Sequence, residues 1–347
     1  MSIPKERLAA VPAARTLPGG VHVGGSGVAQ DMPRRASSPW KAVLTVVVVA
    51  LLCVPLLIAD QFVLHIGVMV GIMSILAVSM NLMLRIGQLS FAQVAFMGIG
   101  AYTAALLSLK AGVPTSLALV IGGLVPSVLA LLLGPIFLRI KGVYFVLLTF
   151  SFGQIVNLVF QDWISLFGGN NGLGGIPKLG LFDFKLASAD RFYTFSTICA
   201  ALVYAAATAI HRSNIGIVLS ALDENEPLGR SLGLDAMRWR IGIFVLSAFL
   251  AGTAGGLYAY YIGFLSPPTF SFGTTVDALV MNVIGGISTP FGPILGAIIL
   301  VPLPEVLRDA RQYQFLIYAA ILAGSLLFFR EGLANYIGRL FKRKESR

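Results

Sequence analysis

Charge is scarce in this chain. Only 12% of its 347 residues are charged while 57% are hydrophobic, about half the charged share usual in soluble domains. With a mean hydropathy of +0.86, there is too little polar surface to cover a water-soluble fold of this size, which excludes an ordinary soluble enzyme. Cysteine is nearly absent. Cys53 and Cys199 both lie inside apolar runs, where a thiol behaves as a small packing group, so no disulfide framework is expected. The histidines, His22, His65 and His211, have no cysteine or carboxylate at ligand spacing, which points to no metal site. No Gly-rich loop closes on Lys-Ser or Lys-Thr, the arrangement in which backbone amides and a lysine cradle phosphates. Nor do the apolar runs carry a Ser/His or paired-Asp arrangement, and without a nucleophile and base no catalytic residue is expected.

What the chain has instead is long apolar runs. Those at 41–59, 62–84, 88–109, 115–138, 143–161, 192–210, 241–262 and 313–330 are each close to the length of a bilayer crossing. Two shorter runs, 276–287 and 292–304, flank Gly285-Gly286-Ile287-Ser288-Thr289-Pro290-Phe291-Gly292-Pro293, a cluster that turns the chain sharply. They form either two more crossings or a re-entrant pair. The expected fold is all-α, a polytopic membrane protein with about 8–10 transmembrane helices over residues 41–330. Residues 1–40, rich in Pro, Gly, Ala and Arg, read as a disordered tail, and 331–347 as a basic one.

Counting crossings from a cytoplasmic start leaves only Lys110, Lys178, Lys185, Arg191, Arg308 and Arg311 of the 25 basic residues outside. Both termini are therefore expected in the cytoplasm, whichever way the short pair runs. The net charge of +10 is accounted for by these loops and calls for no nucleic acid partner. Two loops exceed what a connection requires. Residues 162–191, expected outside, contain the glycine-rich run 168–177, unsuited to a helix or long strand. Residues 211–240, expected inside, read as a helical hairpin: Ser213 or Asn214 caps the apolar stretch Ile215 to Leu222, Pro227 and Gly233 bracket a second short helix, and Asp235 caps the next one. Such a hairpin needs a partner or the membrane face to bury its apolar side, which makes it a docking candidate.

Polar groups within the spans are few and mostly neutral: Asn81, Gln88, Ser90, Gln93, Gln154, Asn157 and Asn282. Each either lines a polar path or bonds a neighbouring helix. The one carboxylate, Asp277, comes after Thr274 and Thr275 and reads either as the solvated cap of a short helix or as a buried ion-coupling group. Ala92, Ala95, Gly98 and Ala101 or Tyr102 fall near one helical face, which lets another helix approach closely.

Four stretches carry a family resemblance: 85–93 continuing through Gly98-Ile99-Gly100-Ala101-Tyr102-Thr103-Ala104, then Leu138-Arg139-Ile140-Lys141-Gly142-Val143-Tyr144-Phe145, Asn171-Gly172-Leu173-Gly174-Gly175-Ile176-Pro177, and Gly285-Gly286 to Gly292-Pro293. In this order, from about residue 65 to 330, they resemble the LivM family, the permease subunits of ATP-binding-cassette importers for branched-chain amino acids and related solutes. The resemblance implies half of a translocation pathway in a bacterial cytoplasmic (inner) membrane. It implies as partners a second, LivH-like permease subunit, two ATPase subunits, an external solute-binding protein and membrane lipid. This chain would bind no cofactor itself, ATP and Mg belonging to the ATPase subunits. Residues 211–240 would then be the coupling loop, with Leu222, Asp223, Glu224, Asn225, Glu226, Pro227, Leu232, Gly233 and Leu234 as its contact residues. Where such loops carry Glu-Ala-Ala this chain has Pro227, Leu228 and Gly229, so Glu226 is the candidate for the acidic role. The rival reading is an ion-coupled secondary transporter acting without an ATPase, with Asp277 as the coupling group.

Overall fold

A computed structural model describes residues 60–181, 184–185, 188–213 and 235–306, with positions 216, 313, 324 and 333. The helices are α1 (Gln61–Leu84), α2 (Gln93–Lys110), α3 (Thr115–Phe137), α4 (Val143–Asp162), the one-turn α5 (Ile164–Phe167), α6 (Ala189–Arg212), α7 (Ala236–Ile262), α8 (Phe272–Gly285), α9 (Gly292–Leu300) and α10 (Pro302–Val306). By length and composition α1, α3, α4, α6 and α7 are each able to cross a membrane. The protein is thus an all-α polytopic membrane protein. The expected crossing 41–59 and, apart from Tyr313 and Gly324, the crossing 313–330 lie outside the described residues.

Helix α7 is the central element, packed along α2 and α3 and also against α1, while α6 lies on α1. It holds that position because its buried side is rich in small residues, among them Ala248, Ala251, Gly252, Ala254, Gly255 and Ala259. In lipid no hydrophobic force draws helices together, so close backbone approach and dispersion contacts do so. A Cβ on Gly255 would lie 1.9 Å from the Met97 carbonyl oxygen, and one on Gly100 2.3 Å from that of Gly252. The close-packing face of α2 therefore runs through Gly100. Gly98, expected on that face, points instead at the rings of Phe160 and Phe270.

The two short apolar runs form a tight helical hairpin, α8 and α9, lying against α1. A Cβ on Gly285 would meet the Gly292 carbonyl oxygen at 1.7 Å, and one on Gly296 that of Met281 at 1.9 Å. At 14 and 9 residues, the helices are about 21 and 14 Å long, short of a full hydrocarbon core. The glycine-rich loop after α4 has short elements: α5, a 3-10 turn at Gly169–Asn171, and two-residue strands β1 (Leu173–Gly174), β2 (Gly180–Leu181) and β3 (Phe184–Lys185). β1 pairs antiparallel with β4 (Phe264–Leu265), just past α7, and β2 with β3. Gly172 is required there: its φ is +73° and a Cβ would lie 2.5 Å from the Leu265 carbonyl oxygen.

The helix ends sort into two groups. Arg85, His211, Ile243 and Ile287 surround one cavity. At the other end Lys110 Nζ donates to the Ser165 carbonyl at 3.2 Å, Gly180 N–H donates to Thr115 Oγ1 at 2.8 Å, and His65 Nδ1 is 2.9 Å from the Tyr261 hydroxyl. The α7 start is capped as expected: Asp235 accepts from the N–H groups of Met237 and Arg238 at 3.1 and 3.3 Å. The Asp235–Arg238 ion pair is exposed and adds little. Asp235→Ala is expected to cost about 1 kcal/mol through the lost cap, read as a lower unfolding temperature that Asp235→Asn largely restores.

Candidate functional site

Two breaks in the helical backbone approach one another. Between α1 and α2 the chain is non-helical from Arg85 to Ala92, and between α7 and α8 only β4 and a 3-10 turn at Pro267–Phe270 interrupt an irregular path. The breaks meet beside α4. The rings of Phe91 and Phe272 are 5.7 Å apart, Phe272 is 5.2 Å from Phe150, and Phe91 N–H donates to Thr149 Oγ1 at 3.1 Å. Thr149 and Phe150 close the second turn of α4, about 10 Å from its start. Irregular backbone at that depth is tolerated where protein buries it or where it borders a wet cavity.

The first condition holds here. Gln88, Ser90 and Gln93 are almost fully buried. Ser90 Oγ accepts from Ala92 N–H at 3.4 Å, and Gln93 Nε2 donates to Ser247 Oγ at 3.3 Å on α7. The side-chain carbonyls of Gln88 and Gln93 meet no donor among the described residues. Gln154, by contrast, is exposed on α4. With Ser271 and Thr275 at the start of α8, it lines a small pit floored by Phe91 and Phe150. Asn157, one turn further, donates to the carbonyls of Pro267 and Phe270 at 2.7 and 3.2 Å, fixing the 3-10 turn to α4.

The exposed sides of neighbouring spans differ in chemistry. On α3 the exposed residues are Leu117, Val120, Leu124, Val128, Leu131, Leu132 and Ile136, a purely apolar stripe at helical spacing. On α4 the corresponding stripe includes Ser151 and Gln154 among Tyr144, Leu147, Ile155 and Leu158. Lipid tails suit the first surface and offer nothing to the polar groups of the second.

Asn81 and Asn282 form a separate cluster. Asn81 Nδ2 donates to Asn282 Oδ1 and to the Ile287 carbonyl, both at 3.0 Å, and Asn282 Nδ2 donates to the carbonyls of Ala77 and Ala278 at 3.0 and 2.9 Å. These bonds tie α8 to α1. Arg85 Nε donates to Asn81 Oδ1 at 2.7 Å, and Arg85 Nη1 to His211 Nδ1 at 2.6 Å. Burial draws the Arg85 guanidinium down to about 10, with Tyr204 opposing, which leaves it cationic at neutral pH.

Asp277 corrects the expectation of a cap. Helix α8 begins at Phe272 with Ser271 in the cap position, so Asp277 lies in its second turn, half-buried. The reason is that Gly273, Thr274 and Thr275 continue the helix N-terminal to the apolar run 276–287 without being apolar themselves. The coupling candidates Leu222, Asp223, Glu224, Asn225, Glu226, Pro227, Leu232, Gly233 and Leu234 lie outside the described residues. The sequence reading did not single out Ser151, Ser247, Ser271, Thr275 or the Arg85–His211 contact. Only the polarity of the serines and threonine within apolar surroundings could have signalled them.

A model of the family described as the permease component of branched-chain amino acid transport systems matches residues 62–330. The chain is 30% identical over 292 residues to the high-affinity branched-chain amino acid transport system permease protein LivM of Salmonella typhimurium, covering 77% of this chain and 69% of that one. It is 31% identical over 261 residues to the protein of the same name in Escherichia coli, covering 69% of this chain and 61% of the relative. It is 29% identical over 182 residues to the autoinducer 2 import system permease protein LsrC of Yersinia enterocolitica, covering 49% of each. No solved structure matches.

Proposed function

Because this chain belongs to the family of permease components of branched-chain amino acid transport systems, we propose that it forms half of the translocation pathway of an ATP-binding-cassette importer. Its partners would be a second permease subunit, two ATPase subunits and an external solute-binding protein, in a bacterial inner membrane with both termini in the cytoplasm. ATP and Mg would be held by the ATPase subunits. The solute would be a branched-chain amino acid or a related small solute, zwitterionic or uncharged.

The observation that carries the pathway reading is the polar stripe on α4. Ser151 and Gln154 face outward from a helix otherwise suited to lipid, and a second permease subunit facing that stripe would enclose them. The pit at Gln154, Ser271 and Thr275 would then open on the path, and the buried Asn81, Gln88, Ser90, Gln93 and Asn282, with the half-buried Asn157, would hold the helices that shape it. Asp277 stays a pathway candidate on α8. Residues 222–234 would dock on an ATPase subunit, and their displacement would reach α6 and α7, which bracket them, as a rigid movement of helix ends. Arg238, Trp239 and Arg240 would hold the start of α7 at the inner membrane surface.

Gln154→Trp places a bulky ring on the exposed stripe without entering the packed core. It is expected to slow solute uptake about tenfold, the equivalent of about 1.4 kcal/mol on the passage step, with the unfolding temperature unchanged. Leu131→Trp, on the apolar stripe of α3, is the control and should leave uptake unchanged. Equal uptake by wild type and Gln154→Trp would remove α4 from the pathway.

A further inference from the structure

A groove of about 460 Å³ runs between α2, α4 and the one-turn α5. Apart from Tyr102 and Thr103 every residue lining it is apolar, with Leu106 and Leu107 on one wall, Ile155 and Val159 on the other and Leu166 at one end. Its floor is a cluster of buried rings, Tyr102 lying 4.4 Å from Phe160 between centroids. Ile155 and Val159 are 62% and 41% exposed, so the groove is open along α4. Ile155 stands about 100° round that helix from Gln154, which sets the opening beside the polar stripe rather than on it.

The end at Leu166 has the chemistry of a membrane–water boundary. Lys110, one turn past Leu106 and Leu107, is exposed. Its Nζ donates at 3.2 Å to the carbonyl of Ser165, the residue before Leu166, and an ammonium so engaged has two further donors to give. No carboxylate of the described residues, Asp162 at the end of α4 included, pairs with it. Trp163, also exposed, has its ring 6.0 Å from that of Phe167, another residue of the lining. An exposed tryptophan beside a cation is the usual anchor at headgroup level. From Leu107 back to Ile99 the lining follows eight residue steps of α2, about 12 Å, against about 15 Å for the hydrocarbon of one leaflet.

We infer that this groove holds one acyl chain of a membrane phospholipid whose phosphate accepts from Lys110 Nζ. The apolar walls and the length of the groove suit a chain that starts at headgroup level and runs toward the bilayer centre, and the free donors of Lys110 suit a phosphate at its start. A free amino acid is a poor occupant, because the lining offers its ammonium group no carboxylate. The lipid would fill the gap between α2 and α4, next to the breaks that those helices border. The inference holds whatever solute the chain carries.

The test uses the full-length chain, with the subunits that co-purify with it, in alkyl maltoside micelles, which carry no phosphate. The probe is phosphatidylglycerol bearing a photoreactive diazirine midway along one acyl chain, and peptide mass spectrometry locates the cross-links. Saturable labelling of Leu106, Ile155 and Val159 is expected, well above that of Leu124 and Leu131 on the apolar stripe of α3. Unlabelled phosphatidylglycerol should compete, and diacylglycerol, with the same chains but no phosphate, should compete about fivefold less well. Lys110→Gln should weaken labelling by about the same factor and abolish the difference between the two competitors. Val159→Trp, which fills the groove from its exposed wall, should remove the labelling of Leu106 and Ile155. If it does not fold, Leu106→Trp fills the groove from the other wall and is read by the labelling of Ile155 and Val159. Labelling no stronger than on α3, equal competition by diacylglycerol in the wild type, or undiminished labelling in a folded groove-filling variant overturns the inference.

Discussion

Gly255→Val is expected to disrupt the fold, with a loss on the order of 3 kcal/mol or more, read as a fall in unfolding temperature and in the monodisperse fraction on size exclusion. A Cβ there would stand 1.9 Å from the Met97 carbonyl oxygen and 3.0 Å from the Ala101 nitrogen. Both are backbone atoms of α2 and cannot turn aside as a flexible side chain could. The helices would have to separate along the packing that places α7 at the centre, losing dispersion contacts that no hydrophobic effect replaces in lipid. Gly242 provides a control on the same helix. Nothing lies within 4 Å of a Cβ at that position, so Gly242→Ala should raise stability by up to about 1 kcal/mol from helix propensity alone. Equal effects at Gly242 and Gly255 would show that the α2–α7 approach is looser than described.

The second large effect is expected at Asn282. It is fully buried, and with Asn81 it makes three bonds that hold α8, or the turn after it, to α1: Asn81 Nδ2 to Asn282 Oδ1, Asn81 Nδ2 to the Ile287 carbonyl, and Asn282 Nδ2 to the Ala77 carbonyl. Single interhelical hydrogen bonds in membranes average only about 0.6 kcal/mol. Asn282→Leu removes two of the three and leaves part of Asn81 unmatched, so about 2 kcal/mol is expected. Asn81→Leu should cost a similar amount and also release Arg85 Nε. Because the two residues share one network, the double variant should cost less than the sum of the singles. Thermal unfolding of the four proteins of the cycle measures this directly, and strict additivity would contradict the pairing.

Much of the fold was legible because hydropathy and turn residues act locally. The runs 62–84, 115–138 and 143–161 correspond within a residue or two to Gln61–Leu84, Thr115–Phe137 and Val143–Asp162. The run 88–109 shows where that reasoning fails. Gln88 to Ala92 are apolar enough to continue a helix, yet the helix begins at Gln93, because Phe91 N–H is bonded to Thr149 on another span. The face of α2 that meets α7 was misread for a related reason. Several small residues were available, and which of them touches backbone depends on where Gly252 and Gly255 stand in the partner helix. The candidate polar residues could be named from sequence but not grouped: Asn81 and Asn282 meet across 201 positions, while Gln154 faces outward. Arg85 and His211, 126 positions apart, gave no local sign of their contact.

Under the proposed function, the polar stripe of α4 and the breaks beside it would become a path once another subunit encloses them, with another supplying energy. The direct measurement is leucine uptake into proteoliposomes holding this chain with the subunits that co-purify with it, the binding protein outside and ATP inside. Uptake that requires internal ATP, persists when proton and sodium gradients are collapsed, and falls with Glu226→Ala or Gly233→Ala in folded protein is the predicted result. Uptake by this chain alone, driven by an ion gradient without ATP and abolished by Asp277→Asn, would contradict it.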